Sequence, residues 1–388
     1  MHICRVATVP FFFNHHLRVQ LRHLVESGHH LDLVCSGGPG FEELSLIGRD
    51  VAVHRIEIPR PIFPLGDLKA LAGLLALFQR HQYDVVHSTT PKAGLLSAIA
   101  ANLAGVPVRL HTFTGQQWAE LSGPVRTASI ASDVSMVQLN TRCYADSVSQ
   151  REFLIRQNIA SKDRIGVLGD GSLAGVDVQK LELIRATTDR DRLRRDLRIP
   201  HDAHLITFVG RVTRDKGVLE LLAAFEILSQ ELGNCFLLIV GPCEVKNDIQ
   251  LENRIMQAGS NSRIRIVGYD PAPEKFFCIS SLLCLPSYRE GFGNVVLEAG
   301  IMEVPTVGTQ IVGLIDAVEH NQTGILVPVK DPMALKVALA DLLLDPCRRQ
   351  TLGLSARSRV LSRFDARRIS NALLNEYGRL AKGGCDCI

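Results

Sequence analysis

The chain has 388 residues, 46% hydrophobic and 21% charged, with a net charge of +3. That length suggests about two to three domains of ordinary size, and the composition describes a soluble globular chain able to bury large cores. The near-balanced charge does not indicate a nucleic-acid binder, and no run approaches the ~20 apolar residues that cross a bilayer.

An apolar patch at residues 9–13 is short and carries a proline, so it does not read as a signal peptide. Ten cysteines show no zinc-site spacing, and several sit in apolar strand-like runs. They read as reduced thiols of a cytoplasmic protein. Cys385 and Cys387 stand in a glycine-led tail that reads as disordered, with metal binding as the alternative. From Asp345 onward there are nine Lys/Arg against four Asp/Glu, and ten of the thirteen histidines precede residue 112. The basic end suits either peripheral contact with an anionic membrane surface or solvated helix faces.

Residues 2–9 read as a strand, 10–14 as a loop, 15–27 as a helix closed by Gly28, and 31–35 as a second strand. This βαβ opening is Rossmann-like, yet no GxGxxG follows the first strand, which argues against a dinucleotide oxidoreductase. Strands follow at 51–58, 83–88 and 106–110. Between them lie an apolar helix at 65–78 and another at 93–103. The 65–78 helix is either core or a membrane-docking face. Residues 133–139 read as a strand, with Thr141 capping a helix over 142–157, and 165–168 as the last strand of this half. Alternating strands and helices imply a parallel sheet whose functional rim lies at the carboxyl ends of the strands. That rim carries Asn14, His15, Lys92, Thr114, Gly115 and Gln116. His111 is placed either in the core or against substrate, and Trp118 either stacks on a sugar ring or packs.

Residues 169–177 read as an interdomain linker. The Asp189-Arg-Asp191 triplet reads as a helix start, since capping and first-turn carboxylates are wanted there. The strand at 204–209 leads into Gly210-Arg211-Val-Thr-Arg-Asp-Lys216-Gly217, then a helix from 218. A helix N-terminus disfavours a cation, so Lys216 makes sense there if an anion is also held. Arg211 can grip phosphate oxygens in a bidentate manner. Strands follow at 236–240, 264–267, 282–285, 305–307 and 323–327.

The stretch around which this half is organised is Ser287-Tyr-Arg-Glu290-Gly291-Phe292-Gly293-Asn294-Val295-Val-Leu-Glu298. A glycine turn opening a helix leaves N–H groups that attract phosphate. Glu298, just over one turn inside, leans back toward them and suits neutral hydroxyls such as those of a ribose. Glu290 can reach a second set of hydroxyls.

The Glu290-x7-Glu298 arrangement and the Gly210-Arg211-x4-Lys216-Gly217 motif resemble the signatures of family 4 retaining nucleotide-sugar glycosyltransferases. Residues 107–115 resemble a rim segment of that family's acceptor domain, with Thr114 where histidine usually stands. The resemblance implies a GT-B architecture of two Rossmann-like, doubly wound domains flanking a cleft. An acceptor domain would cover residues 1–176 and a nucleotide-sugar domain 177–364, with a crossing helix and tail at 365–388. It implies transfer of a sugar, with retention, from a nucleotide-diphosphate sugar (UDP-linked by expectation) to a saccharide acceptor on a lipid-diphosphate carrier, without a metal or other cofactor. Glu290, Arg211 and Lys216 are the expected catalytic groups. Tyr269, beside residues 266–268, would flank the nucleobase. A GT-B UDP-sugar 2-epimerase and a non-catalytic nucleotide-sugar binder are the alternatives.

Overall fold

The structure, a computed structural model, describes residues 1–59, 63–245 and 248–383. The chain divides into two compact units, residues 1–175 joined by the segment from Ala366, and residues 176–365. Each is a parallel sheet with helices on both faces. The inner strands of both sheets are near-continuous buried runs, as expected of parallel strands covered on both sides, whereas the edge strands Val51–Arg55 and Ile264–Gly268 are more open.

The first unit contains β1 (His2–Val6), β2 (His30–Cys35), β3 (Val51–Arg55), β4 (Val85–Thr89), β5 (Val108–Phe113), β6 (Arg142–Ala145) and β7 (Ile165–Val167), in the order β3-β2-β1-β4-β5-β6-β7. The order reverses between β1 and β4. Side chains alternate about the sheet: Ile3 packs with Leu17, Leu21 and Leu24 on one face, whereas Cys4 and Val6 pack with Leu74, Phe78 and Ala100 on the other.

The terminal helix Ala366–Gly383 belongs to this unit. Its fully buried Tyr377 approaches His87 Nδ1 at 2.7 Å and accepts from Arg5 at 3.3 Å, while His87 Nε2 lies 2.8 Å from Thr112 Oγ1. Burial pushes the His87 imidazole well below its usual range, so it stays neutral, one nitrogen accepting and the other donating. Leu373 and Ile369 add an apolar seam to this polar pin.

The second unit contains β8 (His204–Val209), β9 (Cys235–Val240), β10 (Ile264–Gly268), β11 (Leu282–Leu285), β12 (Thr306–Thr309) and β13 (Gly324–Val327), ordered β10-β9-β8-β11-β12-β13. Here the order reverses between β8 and β11. Ligands of doubly wound sheets bind outside the carboxyl ends of strands at such a switch point. The loops leaving these two strands are the 210–217 and 286–293 segments.

Several local expectations are corrected. Residues 133–139 lie inside the helix Gly123–Leu139, and the segment assigned to a helix from Thr141 begins with β6. Thr141 Oγ1 accepts from Arg109 N at 3.0 Å, tying β5 to the start of β6. The helix that follows is Val148–Arg156, capped by Ser147, whose hydroxyl accepts from Gln150 N at 3.1 Å. Residues 10–14 are helical, and Phe13–Leu17 forms a π-helical turn. The helices Val178–Thr187 and Ile249–Gly259 were not anticipated. The 65–78 helix extends over Pro64–His81. Ala70, Leu74 and Phe78 enter the core, while Leu65 and Leu68 are 76% and 64% exposed, so it is both core and exposed apolar surface. Asp189 caps the helix Arg190–Asp196, accepting from Arg192 N at 2.9 Å. The eight described cysteines are free, five of them buried, and Cys385 and Cys387 lie outside the described residues.

Candidate active site

The switch point of the second unit brings the two sequence motifs together. Gly217 has φ +68°, and a Cβ there would collide with the Pro286 carbonyl, so only glycine lets the 210–217 turn close against the 286–293 loop. Tyr288 N then donates to Asp215 O at 2.8 Å, and Tyr288 Oη to Glu220 Oε1 at 2.6 Å. These contacts place Lys216 Nζ 2.6 Å from Glu290 Oε1, with both side chains largely shielded at 16% and 13% exposure. Ser287 Oγ donates to the same oxygen at 2.7 Å, and the Ser287 carbonyl accepts from Thr309 Oγ1. Gly313, at φ +87°, lies against the Gly291 and Glu290 carbonyls where no Cβ fits.

The turn ends at Gly293, φ +87°, which opens the helix Asn294–Ile301. No side-chain hydrogen bond caps this end, though Val296 N donates to Gly293 O at 2.9 Å, and a helix N-terminus of this kind attracts an anion. Lys216 has three donors and one is used by Glu290, so phosphate can be added without breaking the pair. Arg211, Lys216 and Arg289 all draw down the Asp215 carboxyl. Burial raises it, but the Thr213 hydrogen bond and these three cations outweigh that effect and hold it below its ordinary value. Arg289 Nη2 lies 3.3 Å from Asp215 Oδ2. Arg211 is half-exposed and pairs with Glu244 at 2.8 Å.

Glu298 sits deeper along the same helix, partly shielded, with no hydrogen bond or ion pair to a described residue. Burial pushes its carboxyl up to about 8, the nearby Glu274 charge adds to the rise, and Lys180 opposes it. Near neutral pH the group therefore carries a proton and can both donate to and accept from a hydroxyl. Glu274 in turn holds Lys180 at 2.5 Å, leaving its Oε2 buried without a hydrogen-bond partner among the described residues.

Other expected donor contacts divide. Tyr269 is 59% exposed after β10, open to stack on a ring. Val295 is half-buried, and Phe292 is buried with its ring 5.3 Å from Phe364, so Phe292 contributes backbone rather than side chain.

In the first unit the expected rim residues form separate groups. Asn14 Nδ2 donates to Gly40 O at 2.8 Å, and His15 stacks on Phe11 at 4.0 Å between centroids. Lys92 pairs with Asp67 at 2.7 Å. Thr114 and Gly115 follow β5 directly, with Gly115 at φ +103°. Gln116 is buried. Its Oε1 accepts from Gln150 at 3.0 Å, while its Nε2 and Asp146 Oδ1 have no hydrogen-bond partner among the described residues. Burial alone lifts Asp146 to about 8, so it is a neutral acid at that buried position.

His111 lies within the sheet layer instead of on the rim. It is 1% exposed, its Nδ1 lies 3.0 Å from Ser88 Oγ, Gly94 packs on the ring, and burial lowers its pKa to about 3. Trp118 packs too, donating to Asp133 at 2.6 Å and stacking on Phe153.

The sequence reading overlooked Thr8 and Thr90. They face each other at 2.7 Å between Oγ1 atoms, at the β1–β4 switch point. Thr90 holds φ +70°, a strained conformation for a β-branched residue and a marker of functional loops. Asp215, Arg289, Lys180 and Glu274 were also overlooked. Only Asp215 and Arg289 carried a signal, their positions inside the two motifs.

Comparison with known proteins places the chain in a family. The family model "Glycosyl transferase 4-like domain" matches residues 14–171, and "Glycosyl transferases group 1" matches residues 189–359. The capsular polysaccharide biosynthesis glycosyltransferase CapM of Staphylococcus aureus is 30% identical over 367 residues, covering 94% of each chain. An Escherichia coli UDP-Gal:alpha-D-GlcNAc-diphosphoundecaprenol alpha-1,3-galactosyltransferase is 26% identical, covering 78% of this chain and 76% of its own. Among solved structures, Anabaena HepE in complex with UDP and glucose superposes with a TM-score of 0.80 at 18% identity, covering 98% of this chain and 100% of that one. The likeness in fold therefore runs through both sheets, and by these matches the chain belongs to the group 1 glycosyltransferases with a 4-like N-terminal domain and is a glycosyltransferase of the GT-B fold.

Proposed function

We propose that the protein moves a sugar, with retention of anomeric configuration, from a UDP-sugar to a hydroxyl of a saccharide carried on a lipid diphosphate during surface polysaccharide synthesis. The observation that carries the proposal is the Lys216–Glu290 pair beside the uncapped N-terminus of the Asn294–Ile301 helix. A diphosphate held there meets an ammonium, two guanidinium groups and helix N–H groups. As the anomeric C–O bond to the diphosphate breaks, its negative charge develops where these donors already point, which is the largest stabilising term open to such a site. The new bond forms to the acceptor oxygen, and its proton passes to the departing diphosphate. Glu290, oriented by Lys216 and Ser287, accepts from donor-sugar hydroxyls, and protonated Glu298 holds the ribose. Chemistry of this kind needs no metal ion.

The relatives named for capsule synthesis and for transfer to a diphosphoundecaprenol-linked sugar support the acceptor class. The exposed Phe63, Leu65 and Leu68 supply apolar surface suited to a lipid-bound acceptor. Among the described residues no helix is long and apolar enough to cross a membrane, so contact would be peripheral. The test is incubation with a panel of UDP-hexoses and a polyprenyl-diphosphate-linked N-acetylhexosamine, the product read by mass spectrometry and its anomeric coupling by NMR. Transfer with retention is expected. An inverted product, or an epimerised UDP-sugar without acceptor, would overturn the reading. Equal transfer to a soluble acceptor without binding to anionic vesicles would remove the lipid part alone.

A further inference from the structure

Outside the expected donor and acceptor groups, a second cluster of polar side chains gathers at the opposite, amino-terminal edge of the first sheet. His2 opens β1, Asp32 is the third residue of β2, His54 lies in β3, and His81 ends the helix Pro64–His81. Cys4 pairs with Asp32 and Val34 with His54 in the ladder, so alternation puts His2, Asp32 and His54 on one face. Asp32 is nearly enclosed, at 6% side-chain exposure.

The two carboxylate oxygens have different surroundings. Oδ2 is held by Tyr83 Oη at 2.5 Å and His54 Nε2 at 2.7 Å. Oδ1 faces His2 Nε2 at 3.1 Å. His81 Nδ1 lies 4.0 Å from Oδ2, and its ring is stacked on Tyr83 with centroids 5.7 Å apart. One ligand atom each from His2, Asp32 and His81 falls within 4.8 Å of the others. Ligand atoms of a tetrahedral zinc site, with bonds of about 2.0–2.1 Å, stand about 3.3 Å apart, so the His2–Asp32 separation is already near that value. His2 and His81 keep 29% and 30% side-chain exposure, which leaves a route in for an ion.

We propose that His2, Asp32 and His81 bind a divalent transition-metal ion of the zinc class, with His54 and Tyr83 orienting the carboxylate through Oδ2. Two imidazoles and one carboxylate suit Zn(II), Co(II) or Ni(II) and do not suit Mg(II) or Ca(II), which ask for oxygen ligands. Three protein ligands leave a further position to water. The outer hydrogen bonds from His54 and Tyr83 are of the kind that orients metal-binding carboxylates. Such an ion would clip the start of β1 and β2 to the end of the Pro64–His81 helix. Its role is to stiffen the first unit, and it takes no part in sugar transfer.

The test uses the full chain stripped with a chelator and titrated with Co(II), then Zn(II). One equivalent of Co(II) is expected to give visible bands of a four-coordinate nitrogen–oxygen site, with no thiolate charge-transfer band, and Zn(II) is expected to displace it. Zinc should raise Tm by roughly 5 °C. His81→Ala and His2→Gln should each weaken binding at least tenfold, whereas His30→Ala should not. Should the variants misfold, protection of His2 and His81 from diethyl pyrocarbonate by Zn(II), mapped by mass spectrometry in the unmodified chain, decides the matter. A thiolate band would place the ion on cysteines. That result, absent binding, or undiminished binding in folded His81→Ala would overturn the site.

Discussion

Replacing Glu298 by glutamine isolates the electrostatics of the expected ribose site. The carboxyl is raised from 4.5 to about 8, chiefly by burial. Because folding raises it, the folded state keeps a proton that the unfolded chain has released. Stability is therefore intact below about pH 4.5 and is lost progressively as pH climbs to 8. At about 1.4 kcal/mol per pH unit the full difference is roughly 5 kcal/mol, an upper limit since Glu298 retains some solvent contact, and ~2–4 kcal/mol is the working expectation. Glutamine has the same shape and no charge to bury. Glu298→Gln should melt within about 1–2 °C of wild type at pH 5, clearly higher at pH 7, and roughly 5–10 °C higher at pH 9. Differential scanning calorimetry without ligand measures this. A difference that stays flat from pH 5 to 9, or a variant less stable at pH 9, would refute the assignment of a shielded carboxyl with a raised pKa.

Lys216 and Glu290 should be coupled. Lys216→Ala alone strands a shielded carboxylate and should cost ~2–4 kcal/mol by denaturant unfolding, while adding Glu290→Ala should restore part of it, leaving a coupling of about 1–3 kcal/mol in the double-mutant cycle. Gly313→Ala forces a Cβ into the Gly291 carbonyl at φ +87°, so it should lower stability by ~1–3 kcal/mol and weaken UDP binding by displacing the 286–293 loop. His111→Ala removes a ring packed on Gly94 and bonded to Ser88. Its cost of about 2–4 kcal/mol should appear in Tm, with acceptor KM unchanged within about twofold, since the ring does not reach the surface.

The meeting of the two motifs in the second unit was legible because they carry their own physics. A cation before a helix start and two glutamates astride a glycine turn state a requirement for an anion and hydroxyls, and the β8–β11 switch brings both together. What the spacing did not disclose was contacts from distant segments: Lys180 comes from an unforeseen helix, and Glu274 from a 3₁₀ turn. Burial makes Glu298 a neutral acid instead of a carboxylate, with Glu274 adding to the rise and Lys180 opposing it, and this arises only once the chain is folded. Residues 123–145 misled for a different reason. Val134, Met136, Val137 and Leu139 make a short apolar run that fits a strand as well as a helix turn, and the helix-opening Gly123-Pro124 was passed over. β6 has only four residues, too few for a period to show. His111 lies two residues inside the end of β5 with its ring enclosed, which alternation alone could not determine.

Calorimetric titration of UDP into the full chain tests the phosphate site most directly. Wild type should bind with an affinity that falls as salt is raised, and Lys216→Ala and Arg211→Ala should each weaken binding at least tenfold, about 1.4 kcal/mol, with the fold intact by circular dichroism. UDP binding to folded Lys216→Ala as tight as to wild type would contradict the assignment of Lys216, Glu290 and the Asn294–Ile301 helix end as the diphosphate site.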